Sequence, residues 1–157
     1  YLGKMTDIIL HHGGTIDEFL GDAVLAAFGA PSVSADHATK AVNCAIQMQE
    51  AMAEINAENI ADGLPVIEMA IALNTGEVVA GNIGSERRSK YGFVGHQVNL
   101  TSRIEDDARP HEILISEQTY RALNGDQFVA GKSRTIKAKG IEELLTVYPI
   151  VGSSSNA

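Results

Sequence analysis

The chain is short of most residues that mark a specialised class of protein. Among its 157 residues are one cysteine, no tryptophan and four prolines, and aromatic side chains make up only 5%. A single cysteine cannot close an internal disulfide, which removes the sulfur-stapled secreted scaffolds. Cys44 lies among Ala41, Ala45 and Met48 in a helical pattern. It therefore reads as a small buried core residue in a reducing, cytoplasmic setting. Long hydrophobic runs are also missing. Nothing approaches the ~20 residues that cross a bilayer, and no stretch resembles a signal peptide, so no membrane contact is expected of this segment. Positive charge is scarce: 12 Lys and Arg stand against 20 Asp and Glu, for a formal net charge of −8. A nonspecific nucleic-acid surface needs clustered cations, so nucleic acid is not an expected partner.

What is present suffices for one domain with a core, since the apolar content of 45% is ordinary for a globular chain. Residues 1–12 carry Leu2, Met5, Ile8 and Ile9 at helical spacing, and Gly13-Gly14 ends that helix. Two short apolar strands, 15–20 and 23–28, flank Gly21-Asp22 and read as a β-hairpin. A long helix follows, with Asp36 or Ser34 as its cap and Ala38, Ala41, Val42, Ala45, Met48, Met52 and Ile55 as its apolar stripe. Segments 66–74 and 77–83 read as strands joined by Thr75-Gly76. Residues 91–94 form a short strand, Gly95 a turn, and the stretch around Val98 and Ile104 a short helix. Ile113-Leu114-Ile115 is a strand, and Ser116 caps a helical turn containing Tyr120 and Leu123. Segments 133–138 and 144–150 are the last strands, before a small, polar, frayed tail at 152–157. No internal repeat or linker interrupts this order. The expected fold class is α+β, an α/β sandwich of helices packed on a largely antiparallel sheet.

Few residues stand out chemically. Glu18 and Asp22 bracket the hairpin tip. Asp22 is the residue type a tight turn favours, and its oxygens also suit a hard cation bridged to phosphates. Asn99 and Arg103 are four apart on a short helix and share one face. That face is either solvated surface or a substrate contact in which a planar guanidinium meets phosphate and an amide orients a sugar. Lys139, beside Gly140, is a surface lysine or a phosphate contact, and the loop cations Arg87, Arg88 and Lys90 divide the same way. No nucleophile triad or Cys/His metal pattern occurs. His11-His12 lacks partners for zinc. Gly81-Asn82-Ile83-Gly84-Ser85 lacks the lysine and spacing of a P-loop. An acidic chain can still take a nucleotide when metal ions and a few local cations carry the phosphate charge.

Several segments together carry a specific likeness. Gly14-Thr15-Ile16-Asp17-Glu18-Phe19-Leu20-Gly21-Asp22-Ala23-Val24, then Phe28-Gly29-Ala30-Pro31, resembles the hairpin of class III adenylate and guanylate cyclases. Asn74-Thr75-Gly76-Glu77-Val78-Val79-Ala80-Gly81-Asn82-Ile83-Gly84-Ser85 is similar to that family's next signature. Tyr91-Gly92-Phe93-Val94-Gly95 with Val98-Asn99-Leu100 and Ser102-Arg103 is similar to the third, and Ile113-Leu114-Ile115-Ser116 and Lys139-Gly140 continue the match. The resemblance runs almost from end to end, in order, and assigns residues 1–151 to a nucleotidyl cyclase catalytic domain. It implies a ferredoxin-like core and a homodimer with sites at the interface. In such a site two Mg²⁺ or Mn²⁺ ions help a nucleoside triphosphate close to its 3′,5′-cyclic form and release pyrophosphate. By position, Asp22 matches a metal aspartate, Asn99 the ribose-orienting asparagine, Arg103 the transition-state arginine and Lys139 the phosphate-binding lysine. Asn99, Arg103 and Lys139 would act on the substrate whose metals Asp22 of the other subunit holds.

Two positions separate the family's substrates. Adenylate cyclases usually carry lysine where this chain has Glu18, and aspartate or threonine where it has Gly92. Guanylate cyclases usually carry glutamate at the first and a small residue at the second. A carboxylate accepts hydrogen bonds from guanine N1–H and the 2-amino group, whereas adenine N1 is itself an acceptor. Glu18 with Gly92 favours GTP. An ATP cyclase with an unusual base pocket, and a cyclase-like module that binds nucleotide or partner without catalysis, remain as alternatives. One departure is clear. The family's other metal aspartate sits in a Phe-x-Asp-Ile strand upstream of the hairpin, and Asp7-Ile8 imitates it only fifteen residues before Asp22, within a helical pattern. The chain therefore reads as an N-terminally shortened piece that lacks the first core strand and is inactive alone.

Overall fold

A computed structural model describes residues 1–30, 34–83, 90–123, 127–137 and 143–153. Helix α1 (Leu2–His11) leads into the hairpin β1 (Thr15–Leu20) and β2 (Ala23–Ala27), followed by the long helix α2 (His37–Ala61). Then come β3 (Ile71–Leu73), β4 (Val79–Ile83), β5 (Lys90–Val94) and α3 (His96–Asp107). The chain ends with β6 (Ile113–Ser116), α4 (Glu117–Ala122), β7 (Phe128–Ala130), β8 (Arg134–Lys137) and β9 (Leu144–Ser153).

The central sheet runs β3-β6-β9-β7, with β8 also on β9. Among the described residues only β3 and β6 are parallel and the other pairs are antiparallel, in line with the expected α+β class and its largely antiparallel sheet. The pleat sorts β6 between two layers. Ile113 and Ile115 pack with Val42 and Ala45 of α2, while Leu114 packs with Ile104 of α3, Ile136 and Val147. Such a strand is apolar on both faces because helices cover both, and all four residues of β6 are buried. A third cluster joins α1 (Met5, Ile8, Ile9) to Cys44, Ala51 and Met52 of α2, with Ile16, Val24, Ala26 and Phe28 of the first hairpin packed on it. At 25 residues, α2 is about 37 Å long, enough to serve as a common spine for the hairpin and the central sheet. Among the described residues β1 pairs with β2 alone, β4 with β5 alone and β3 with β6 alone.

Two expectations change. Segments 66–74 and 77–83, expected as two strands, are strands only in part: β3 is three residues long and pairs with β6, and β4 starts at Val79 and pairs with β5. The reason lies in side chains of α2. Asn56 donates to the Ile67 carbonyl at 2.9 Å and accepts from its N–H at 2.8 Å, while Gln49 donates to the Met69 carbonyl at 2.9 Å. Helix side chains thus meet much of this segment's polar backbone, and the Met69 carbonyl also accepts the His111 N–H at 2.8 Å. At the start of α2, Asp36 holds the cap position without making a cap bond; its carboxylate takes the Ser34 hydroxyl and pairs with Lys40 instead. Ser116 does cap α4, accepting from Thr119 N–H. Strand β7 had no clear sequence signal, and the tail at 154–157 lies outside the described residues.

Candidate functional site

The first hairpin turns on Gly21-Asp22. Gly21 has φ +64° and Asp22 is not left-handed, the pattern of a type II′ turn, which matches the twist of the flanking strands. Asp22 is thereby exposed at the tip. The Tyr1 hydroxyl donates to the Asp22 carbonyl at 2.9 Å and ties the tip to the start of α1. Burial raises the Tyr1 hydroxyl's pKa, and the Asp22 charge adds to it. Glu105, on α3, is also raised, first by burial, then by Asp106 and Asp22. The hairpin tip and the last turns of α3 thus share an acidic field. Among the described residues no three His, Cys, Asp or Glu side chains group closely enough to hold a metal ion. Asp22 offers one hard oxygen donor of the kind magnesium and manganese prefer.

Strand β1 contains a bulge. Ile16 stands opposite Ala26 and Glu18 opposite Leu25, so Asp17 is the extra residue. On β5, Gly92 is buried and sits opposite Gly81 of β4. A hydrogen bond links the two hairpins here: Phe93 N–H donates to Asp17 Oδ1 at 3.3 Å. Glu18 and Gly92, far apart in sequence, are each one residue from an end of that bond. The structure brings this pair of positions together.

Helix α3 starts at Gly95, whose φ of +140° suits glycine. Asn74 fixes this end by donating to the Gln97 carbonyl at 3.1 Å and to its side-chain oxygen at 3.0 Å. Leu100 and Ile104 are buried, and the neighbouring Asn99 and Arg103 are exposed one turn apart on the same face. The Arg103 guanidinium lies 3.6 Å from the Asp106 carboxylate, with both side chains well exposed. Such a pair is worth little in water, so the guanidinium stays available to a phosphate. Lys139, Arg87 and Arg88 lie outside the described residues. His12 pairs with Gln47 at 2.6 Å, in keeping with a surface role.

Sequence reasoning missed Asp17 and Glu105 as members of this neighbourhood. No local signal marks either, since one depends on a bulge and the other on where the hairpin tip comes to rest. Family comparison supplies the wider frame. A model described as the adenylate and guanylate cyclase catalytic domain matches residues 3–152. Adenylate cyclase 1 of Rhizobium meliloti is 31% identical over 153 residues, covering 97% of this chain and 23% of that protein. The chain thus spans about a quarter of that relative's length. Among solved structures, the guanylyl cyclase Cya2 superposes with a TM-score of 0.92 at 49% identity, over 98% of this chain and 78% of the other. The adenylyl cyclase CyaB from P. aeruginosa superposes with 0.91 at 34% identity, over 100% and 81%. A match of this extent, in sequence and in fold, makes the chain a member of the adenylate and guanylate cyclase catalytic domain family.

Proposed function

We propose that this domain is a guanylate cyclase that converts GTP to 3′,5′-cyclic GMP and pyrophosphate for signalling, working as a homodimer. The observation that carries the reading is Glu18: a carboxylate on bulged β1, beside the strand that holds the small, buried Gly92. A carboxylate accepts from guanine N1–H and the 2-amino group, and a glycine leaves room for the ring. A site built on those bonds rejects a base that cannot make them, often by a large factor. The likeness to the guanylyl cyclase Cya2, at 49% identity, supports the same choice.

The reaction is an intramolecular displacement in which the ribose 3′-oxygen attacks the α-phosphorus and pyrophosphate leaves, so positioning and charge stabilisation dominate. Asn99 orients the ribose. Arg103, one turn away, donates to the phosphate oxygens as charge develops. Lys139 holds the triphosphate as a point charge. Two Mg²⁺ or Mn²⁺ ions, with Asp22 as one ligand, would supply neutralisation of the triphosphate and a more acidic 3′-hydroxyl.

ATP is the second reading, because the adenylyl cyclase CyaB and the Rhizobium meliloti adenylate cyclase are also similar. Turnover of GTP and ATP with Mn²⁺, in the protein at its full natural length, separates the two. GTP is expected to be preferred, and Glu18→Lys with Gly92→Asp is expected to move the preference toward ATP. Preference for ATP in the wild type would remove the guanylate assignment and leave the cyclase one. A folded dimer that turns over neither nucleotide would point to a non-catalytic module.

A further inference from the structure

Strand alternation and the bulge together decide where Glu18 points. Ile16 packs on the core of α1 and α2, as do Val24 and Ala26 of the partner strand. In an unbroken strand, side chains two apart share a face, so Glu18 would follow Ile16 toward that apolar core. The extra residue at Asp17 shifts the phase by one. Glu18 then pairs with Leu25, on the face opposite Val24 and Ala26, and Phe19 pairs with Val24. A bulge re-aims side chains in this way and is commonly found beside functional sites. The bulged residue has a second task. Its carboxylate reaches across to β5 and accepts the Phe93 N–H at 3.3 Å, in a half-buried position. Phe93 is itself buried, and it directly follows Gly92. One residue therefore does both: its place in the backbone turns Glu18 outward, and its side chain pins the strand that carries Gly92.

We infer that Asp17 is a positioning residue for nucleobase selection, acting through Glu18 and Gly92 without touching the substrate. The inference rests on the base-reading role given to Glu18 above. Removal of the Asp17 acceptor takes away one tie between β1 and β5 and loosens the distance between Glu18 and Gly92. Purine bases bound there would be read less strictly, while Asn99 and Arg103 keep their places on α3 and Asp22 its place at the hairpin tip.

The test measures kcat and KM for GTP and ATP, together with the affinities of fluorescent mant-GTP and mant-ATP, in the full natural protein. The variants are Asp17→Ala, Asp17→Asn, Asp17→Glu and Glu18→Ala, plus the Asp17→Ala, Glu18→Ala double. Asp17→Asn keeps an oxygen acceptor and is expected to hold the wild-type GTP:ATP ratio. Asp17→Ala is expected to lower that ratio roughly tenfold, mainly through KM and the mant-GTP affinity, since one hydrogen bond's geometry is at stake. Asp17→Glu keeps the charge but misplaces the oxygen by one methylene; it is expected to lower the ratio too, and decides the matter should Asp17→Ala not fold. In the double variant the two losses are expected not to add, because they act through one contact. A uniform loss for both nucleotides at an unchanged ratio, with Glu18→Ala still shifting the ratio, would make Asp17 merely structural and overturn the inference. An unchanged ratio in Glu18→Ala would instead remove the base-reading role itself, and this inference with it.

Discussion

At the residue scale, Arg134 and Glu112 show how a charged contact can matter for stability without entering the chemistry. Arg134 of β8 donates to both Glu112 oxygens at 2.9 and 2.7 Å, and also to the Asp107 carbonyl at 3.0 Å. Their side chains are only 23% and 14% exposed, so this forked pair escapes most of the screening that weakens surface ion pairs. Hydrogen bonds from Arg134, opposed by burial, hold the Glu112 carboxyl below its usual 4.5. A depressed carboxyl stabilises the fold fully above its unfolded value and loses that contribution as pH falls through the folded one. Denaturant unfolding is therefore expected to show stability falling as pH drops below about 4.5. Glu112→Gln should flatten that part of the curve and cost about 1–3 kcal/mol at neutral pH. An unaltered acid limb in the variant would mean other carboxylates dominate. Cys44 illustrates the quiet side of this scale: burial pushes its thiol up to about 11, so it is inert packing. Its helical neighbours made that legible beforehand, whereas nothing in the order of residues linked 134 to 112.

At the element scale, the segment 66–70 shows where local pattern misleads. Its apolar residues read as a strand, and the chain there is extended enough to need partners for its polar backbone. The partners are Asn56 and Gln49 of α2, which bind Ile67 and Met69. Asn56→Ala would leave both the N–H and the carbonyl of a half-buried peptide without their bonds. A loss of about 1–3 kcal/mol in unfolding free energy is expected, measurable by thermal or denaturant melts. A loss below a few tenths would mean that water replaces the amide at no cost. The α1, β1–β2, α2 and α4 elements were readable because their cues are local. Turn glycines, a Ser cap and a helical stripe lie within a few residues of what they control.

At the scale of the whole molecule, the proposed dimer makes a sharp demand. Asp22 lies on the hairpin tip, and Asn99 and Arg103 on α3. If each site takes Asp22 from one subunit and Arg103 from the other, then Asp22→Ala and Arg103→Ala homodimers are each inactive. Equal mixing after subunit exchange is expected to restore activity to about a quarter of wild type, since half of the dimers are mixed and each holds one intact site. Mixing that restores nothing, with exchange confirmed by labelled subunits, would place both residues in the same site of one subunit.

The sequence by itself determined the family likeness, the hairpin and helices, and the chemical identity of the candidate groups. Those properties reside in short stretches, where turn geometry, periodicity and functional side chains are near neighbours. The tertiary structure alone decided that Asp17 is bulged, that Glu18 faces away from the helical core and that Gly92 comes to its side. It also decided that Ile71 of β3 pairs with Ile113 of β6, far along the chain, and that side chains of α2 bind the backbone of Ile67 and Met69. Register and long-range pairing depend on which surfaces the whole chain can bury at once. A single residue's shift in phase inverts every side chain beyond it, and no window of sequence contains the partner that sets the phase.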